Sequence, residues 1–291
     1  MGLVQAIIMG IVQGLSEFLP ISSSAHLRLA PVVLGITDPG TAFTAVIQIG
    51  TVAAVLIYFW KDLVIAFGGW FRSLSDPTKR DTIEARMGWA VFWATIPVIV
   101  IGVALKKLIE GDTFRSLWIT AGSMVGMALI MYAAELFGSK NRSIEDVQPK
   151  DGWLPGLLQC LALIPGMSRS GSTLTGAFLI GLDRKAAVRF SFLMSVPSVL
   201  GAGLFELYSQ RHKLSEAGLT NTLVATLVAG VVGYAVIAWL LTWVAKHGTK
   251  VFVVYRLILG GILIFLLAKG TLSPMAGEEG HDQKPAPVAS P

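Results

Sequence analysis

The chain is short of charge, of cysteine and of the common soluble-site motifs. Only 14% of its 291 residues are charged, where a soluble domain carries about 25%, so a large water-facing surface is excluded. One cysteine, Cys160, supplies neither an intramolecular disulfide nor a thiolate metal site and is expected to be buried filler. No G-x-x-x-x-G-K-S/T run and no H-E-x-x-H pair is present, and the carboxylates do not cluster as in a two-metal enzyme. A basic stripe interleaved with aromatics is also missing, which removes nucleic acid from the expected partners. The N-terminus lacks the basic region of a cleavable signal, and polar residues arrive by Gln13.

Apolar sequence is what the chain has in abundance. Hydrophobic residues make up 54% of it, and the net charge of +5 suits basic loops beside anionic lipid. A full crossing needs roughly 20 apolar residues. Six stretches qualify, near Phe43–Trp60, Gly88–Leu108, Leu117–Leu136, Val188–Tyr208, Leu223–Val244 and Val251–Leu267. Two further segments, Leu3–Leu34 and Trp153–Ile180, begin as apolar helices, meet Pro20 or Pro165, and turn serine-rich. Each reads as a re-entrant hairpin of two short helices, shielded by the bundle around it.

The order is hairpin plus three spans, twice over. The expected fold is therefore an all-α polytopic membrane protein built as an inverted repeat, with halves 1–145 and 150–270 inside one membrane domain, 1–272. An odd number of crossings per half inverts the second half, so the hairpins enter from opposite faces and meet near the middle. The polar, Pro-rich stretch 273–291 is expected to be a disordered tail.

This topology sorts the basic residues. One face receives thirteen: Lys61, Arg72, Lys79, Arg80, Arg86, Lys140, Arg142, Lys150, Arg184, Lys185, Arg189, Lys246 and Lys250. The other receives eight: Arg28, Lys106, Lys107, Arg115, Arg211, Lys213, Lys269 and Lys284. The positive-inside rule places the first face in the cytoplasm. Trp60, Trp70, Trp89, Trp93 and Tyr58 read as interfacial anchors. Gly50, Gly122, Gly126, Gly230 and Gly233 are expected to permit close helix packing. Glu135 and Glu206, near helix ends, read as structural.

The chemistry is concentrated at the two breaks, Gln13–Leu27 and Ile164–Gly176. Glu17 lies four residues from Gln13, so both point from one helix face. A carboxylate there suits proton handling or cation binding, or a helix-packing hydrogen bond. Ser22, Ser23 and Ser24, with freed N–H groups at the start of a half-helix, form an anion pocket. His26, the one histidine in a hydrophobic segment, is a candidate nucleophile, base or acid. Arg169, between Ser168 and Ser170, stays charged inside protein and needs an anion. A phosphate matches its fork best, and a structural salt bridge to Glu17 is the alternative. Gly166 and Gly171 would let backbone approach a ligand, and Ser172 and Thr173 complete the turn. Carboxylate, imidazole, hydroxyls and guanidinium together make a phosphoryl-transfer set. A divalent ion, if used, would take Glu17 and substrate phosphates as most of its ligands.

At these residues the chain resembles the bacterial undecaprenyl-diphosphate phosphatases, the bacitracin-resistance protein family. Gln13–Leu27 and Pro165–Thr173 are similar to its two signature motifs, in order and each at a broken helix, and the likeness runs to about Ala268. The resemblance implies hydrolysis of undecaprenyl diphosphate to undecaprenyl phosphate and inorganic phosphate, which recycles the cell-wall lipid carrier. It implies catalytic roles for Glu17, His26, Ser23 and Arg169. It assigns Ser22 to Ser24 to a serine-rich loop and Ser168 with Arg169 to a phosphate-binding pair; Gln13, Gly166, Ser170, Gly171 and Thr173, beside them in the two motifs, are expected to bind substrate as well. It further implies a divalent cation (Mg or Ca) near Glu17, no organic cofactor, a homodimer, and an outward-facing site in the bacterial plasma membrane. Many members carry glutamate where this chain has Gln13, and glutamine weakens a two-carboxylate metal site. Attack by His26, by Ser23 or by water is equally compatible with the residues. The rival class is an inverted-repeat transporter or flippase for an anion or polyprenyl phosphate, which would move phosphate without releasing it.

Overall fold

A computed structural model describes residues 1–36, 38–105, 112–209 and 219–277. Lys106, Lys107, Arg211, Lys213 and Lys284, the end of the second span at Leu108, and most of the tail lie outside the described residues, as does the side chain of Glu206. The described chain is helical: α1 (Leu3–Phe18), α2 (Ser23–Leu34), α3 (Gly40–Tyr58), α4 (Trp60–Ser75), α5 (Ile83–Ala104), α6 (Asp112–Arg115), α7 (Leu117–Phe137), α8 (Trp153–Gln159), α9 (Arg169–Leu179), α10 (Arg184–Ser209), α11 (Leu219–His247) and α12 (Lys250–Ala268). Among the described residues, five helices are long and apolar enough to cross a membrane: α5, α7, α10, α11 and α12. A sixth crossing is available if α3 and α4, which meet at a 74° bend, are counted as one. The protein is an all-α, multi-pass helical bundle.

Proline ends both helices that were expected to break. Leu19, before Pro20, takes φ −66°, ψ 141°, and stops α1. Ile164, before Pro165, takes φ −89°, ψ 123°, and stops the 3₁₀ turn Cys160–Leu163 that follows α8. The pyrrolidine ring disfavours helical geometry in the residue before it, which accounts for both stops. α2 and α9 then restart the chain on the other side of each break.

One helix was not foreseen. Residues 61–86 read as a connecting segment, yet Trp60–Ser75 forms α4. Its buried Leu63, Ala66, Gly69 and Ser73 recur at helical spacing and face α5. A Cβ on Gly88 would lie 2.4 Å from the Ala66 carbonyl, so the two backbones nearly touch. The rings of Trp70, Trp89, Trp93 and Trp153 cluster beside this contact.

Small residues hold α1 and α8 in the bundle. On α1, a Cβ at Gly10 or Gly14 would lie 2.5 Å or 2.8 Å from the carbonyls of Ala225 or Ala229 on α11. At Gly152 and Gly156, beside α8, it would lie 2.0 Å or 2.6 Å from the carbonyls of Ala90 or Ala94 on α5. Lipid offers no hydrophobic drive between helices, so close backbone packing of this kind supplies the association. Gly50 behaves the same way against the Thr226 carbonyl, whereas Gly233 makes room for the Phe18 ring. Gly122 and Gly126 do neither: among the described residues a Cβ there meets nothing within 4 Å.

Polar contacts tie together the loops at each end. Glu135 accepts from Arg184 at 2.8 Å and from the Thr249 amide at 2.8 Å. Arg142 pairs with Asp151, Arg189 with Asp62, and Arg86 donates to the Glu145 carbonyl. At the other end, Arg28 donates to the carbonyls of Ala276 (2.9 Å) and Pro274 (3.1 Å), and Pro274 also accepts from the Leu117 amide (2.8 Å). Residues 273–277 were expected to begin a free tail. These hydrogen bonds fold them onto α2 and α7 instead.

Candidate active site

The two breaks have the same local geometry. Among the described residues, only Ser22, Lys140 and Ser168 have positive φ without being glycine. Ser22 (φ 78°) and Ser168 (φ 71°) occupy matching places, each the N-cap of the helix after its proline. Such a backbone costs an L residue about 1–2 kcal/mol, so it persists only where surrounding contacts fix it. The Ser168 hydroxyl accepts from the Gly171 amide at 3.2 Å and lies 3.2 Å from the Ser170 hydroxyl. Ser22 and Ser24 hydroxyls lie 3.1 Å apart. The Gly171 amide is taken by the Ser168 cap, and the earlier amides of α9 and those of the first turn of α2 lie at helix N-termini, where an anion is favoured by N–H groups and by the helix dipole.

The loops converge on a cavity of about 570 Å³. Gln13 and Glu17 line it from α1, Ser22, Ser23 and Ser24 from the first loop, and Ser168 and Arg169 from the second. Arg169 Nη2 donates to Glu17 Oε1 at 2.9 Å, so the salt bridge left open by the sequence is formed. Gln13 Nε2 donates to Glu17 Oε2 and to the Thr51 hydroxyl, both at 3.3 Å. Gln13 Oε1 is buried without a partner among the described residues. Val98, Leu163, Val199 and Ala202 give part of the wall an apolar surface, and Arg28, Asp38, Arg115 and Gly277 are also among the lining residues.

Other expected site residues sit behind this wall. His26 Nδ1 lies 2.7 Å from the Ser22 carbonyl and Nε2 lies 2.6 Å from the Tyr255 hydroxyl. A carbonyl can only accept, so Nδ1 carries a proton, and Nε2 of the neutral ring accepts from Tyr255. Both ring nitrogens are therefore engaged, and His26 reaches the cavity through the Ser22 backbone. Ser170 donates to the Leu19 carbonyl at 3.0 Å, bridging the loops. Thr173 is fully buried and shares a hydrogen bond with Ser191. A Cβ on Gly166 (φ 92°) would lie 2.2 Å from the Thr120 carbonyl, so this glycine admits α7 and not a ligand. Gly171 faces Ser168 and Pro20.

The profile of the bacitracin resistance protein BacA family matches residues 6–262. The chain belongs to this family. It is 50% identical over 291 residues to an undecaprenyl-diphosphatase of Myxococcus xanthus (strain DK1622), covering 100% of this chain and 98% of that protein. It is 49% identical over 283 residues to one of Chlorobaculum tepidum, covering 94% of this chain and 100% of that protein. A third, from Chlorobium chlorochromatii (strain CaD3), is 47% identical over 283 residues with the same coverage.

Sequence reasoning missed two residues that touch the loops in this family member. Tyr255 carried no local signal. Arg256 did: it is the one charge inside the stretch Val251–Leu267, and an intramembrane charge marks function by default. It is completely buried and donates only to backbone carbonyls.

Proposed function

We propose that this family member is an undecaprenyl-diphosphatase, hydrolysing undecaprenyl diphosphate to undecaprenyl phosphate and inorganic phosphate in the bacterial plasma membrane. The observation that carries this reading is the meeting of Glu17 and Arg169 at 2.9 Å on the wall of one cavity, beside two helix N-termini that each begin at a serine of positive φ. Arg169 and the first-turn amides receive the charge that grows on the transferred phosphoryl group. Ser23 is the preferred nucleophile, because it lines the cavity while both nitrogens of His26 are held elsewhere. Glu17 takes the proton from Ser23 Oγ as it bonds to the terminal phosphorus, the phosphoanhydride bond breaks with undecaprenyl phosphate as the leaving group, and water then hydrolyses the phosphoserine to inorganic phosphate and restores Ser23. His26 holds the Ser22 carbonyl and so sets the start of α2. The polyprenyl tail leaves by the apolar part of the wall.

The donor set fits a divalent cation. Gln13 Oε1 is a buried oxygen without a partner, next to the Glu17 carboxylate on the same helix face. Among the described residues no three His, Cys, Asp or Glu side chains group together, so diphosphate oxygens would supply the remaining ligands. A bound Mg or Ca would offset phosphate charge there.

The same reading includes an inverted repeat. Its support is one of pattern: Ser22 and Ser168, both with positive φ, open the helix after each proline, and small residues beside each first half-helix pack on a helix of the other half, Gly10 and Gly14 on α11 and Gly152 and Gly156 on α5. It also includes an outward-facing site, since the cavity lies with Arg28 and Arg115 on the less basic face. The homodimer implied by the resemblance belongs to the same proposal and is decided by light scattering in detergent.

The test is phosphate release from a polyprenyl diphosphate by purified protein, with and without chelator. Release that falls on chelation and returns with Mg or Ca is expected. Absence of release from folded protein overturns the reading.

A further inference from the structure

We infer that Arg256 is a positioning residue that sets the two half-sites against each other. It lies in α12, fully buried, away from the cavity wall. Its Nη1 donates to the Pro20 carbonyl at 3.1 Å, at the first break. Its Nη2 donates to the Gly166 carbonyl at 2.8 Å and the Met167 carbonyl at 3.2 Å, at the second. Its Nε donates to the Met124 carbonyl of α7 at 3.1 Å. One rigid guanidinium plane therefore holds the residue two before Ser22 and the residue just before Ser168.

The choice of side chain follows from the fork. Each broken helix leaves carbonyls without amide partners at a depth where water is scarce. A planar guanidinium presents five N–H groups in fixed directions, enough to serve both breaks and α7 at once. A lysine ammonium is a point donor and cannot span the Pro20 and Gly166 carbonyls with the same geometry. Among the described residues no carboxylate pairs with Arg256, so its donors are committed to backbone. Two further ties join the loops, Arg169 to Glu17 on the cavity wall and Ser170 to Leu19 behind it. Arg256 alone among these three ties reaches both breaks and α7 from one side chain, away from the cavity wall.

Phosphoryl transfer needs the nucleophile loop and the arginine loop placed to a fraction of an ångström, and a shift of 1 Å costs about 10²-fold in rate. Ground-state binding rests on the lipid tail and on each loop separately. Loss of the fork should therefore lower kcat and leave KM nearly unchanged.

This inference rests on the phosphatase reading. The experiment measures phosphate release and one-to-one binding of a non-hydrolysable polyprenyl methylene-diphosphonate by wild type, Arg256→Lys and Arg256→Met. Expected is a fall in kcat of about 10²-fold in both variants, with KM within about threefold and analogue stoichiometry retained. Arg256→Lys with wild-type kcat overturns the inference. So does a loss of kcat that only tracks a loss of binding-competent protein, or failure of both variants to bind analogue, since either assigns Arg256 to folding alone. A wild-type protein that releases no phosphate overturns the phosphatase reading itself.

Discussion

Glu17 Oε1 and Arg169 Nη2 lie 2.9 Å apart although 152 residues separate them in sequence. The pair is the joint between the two broken helices, and both partners are largely shielded, with side-chain exposures of 7% and 20%. Only one Arg169 nitrogen is committed to Glu17, so the rest of the fork remains for a phosphate.

Removing one charge of this pair strands the other. Glu17→Gln should destabilise the protein by about 3 kcal/mol, the cost of leaving a buried arginine uncompensated. Unfolding in a denaturing detergent titration measures this. Saturating diphosphate analogue should recover more stability in the variant than in wild type, because the ligand replaces the missing anion.

Arg169→Lys keeps the charge and loses the fork. Turnover should fall by about 10²–10³-fold, the range for loss of one preorganised donor to a developing oxyanion. Phosphate-release kinetics decide it, and a variant within threefold of wild type would remove Arg169 from the chemistry.

Tyr255 touches the site only through His26, which it meets by a 2.6 Å hydrogen bond and a stacked contact with centroids 5.6 Å apart. Tyr255→Phe retains the stack and deletes the bond. A double-mutant cycle with His26→Ala in phosphate release should show coupling of about 0.5–3 kcal/mol, as for residues in direct contact. Strict additivity would mean that the hydroxyl does not act through His26.

The glycine contacts divide cleanly into two kinds. Gly156→Val places a side chain against the Ala94 backbone, where a Cβ alone would lie 2.6 Å from the carbonyl. Overpacking should cost at least about 1–3 kcal/mol. Gly122→Ala, with nothing within 4 Å, should be neutral or stabilise by a few tenths up to about 1 kcal/mol through helix propensity. Thermal unfolding of the two purified variants separates them.

Orientation is open to direct labelling. In a Cys160→Ser background, Thr271→Cys on the cavity face should react with an impermeant maleimide on intact cells, and Lys79→Cys on the more basic face should react only after lysis. The reverse pattern would turn the site toward the cytoplasm.

Much of this architecture was legible in the sequence because its signals are local. Long apolar runs marked the spans, and proline followed by serines marked both breaks, since each acts on its own backbone. The convergence of Glu17 with Arg169 could be anticipated only from the repeat pattern. α4 was missed because Trp60–Ser75 is amphipathic and follows α3 after a single residue, without a proline or glycine to announce the bend. Arg256 was visible as a charge out of place, but its five carbonyl contacts come from three other segments and have no local trace. Gly166 and Gly171 were read as making room for a ligand. A glycine signals that something comes close, and does not say what.

Residues beyond Leu272 look dispensable on paper, being polar and rich in proline. Yet Pro274 and Ala276 are clasped by Arg28, and Gly277 forms part of the cavity lining. Clipping the chain at Ser273 would breach a wall of the reaction chamber, so a shortened protein with poor turnover would report missing masonry and not a missing appendage.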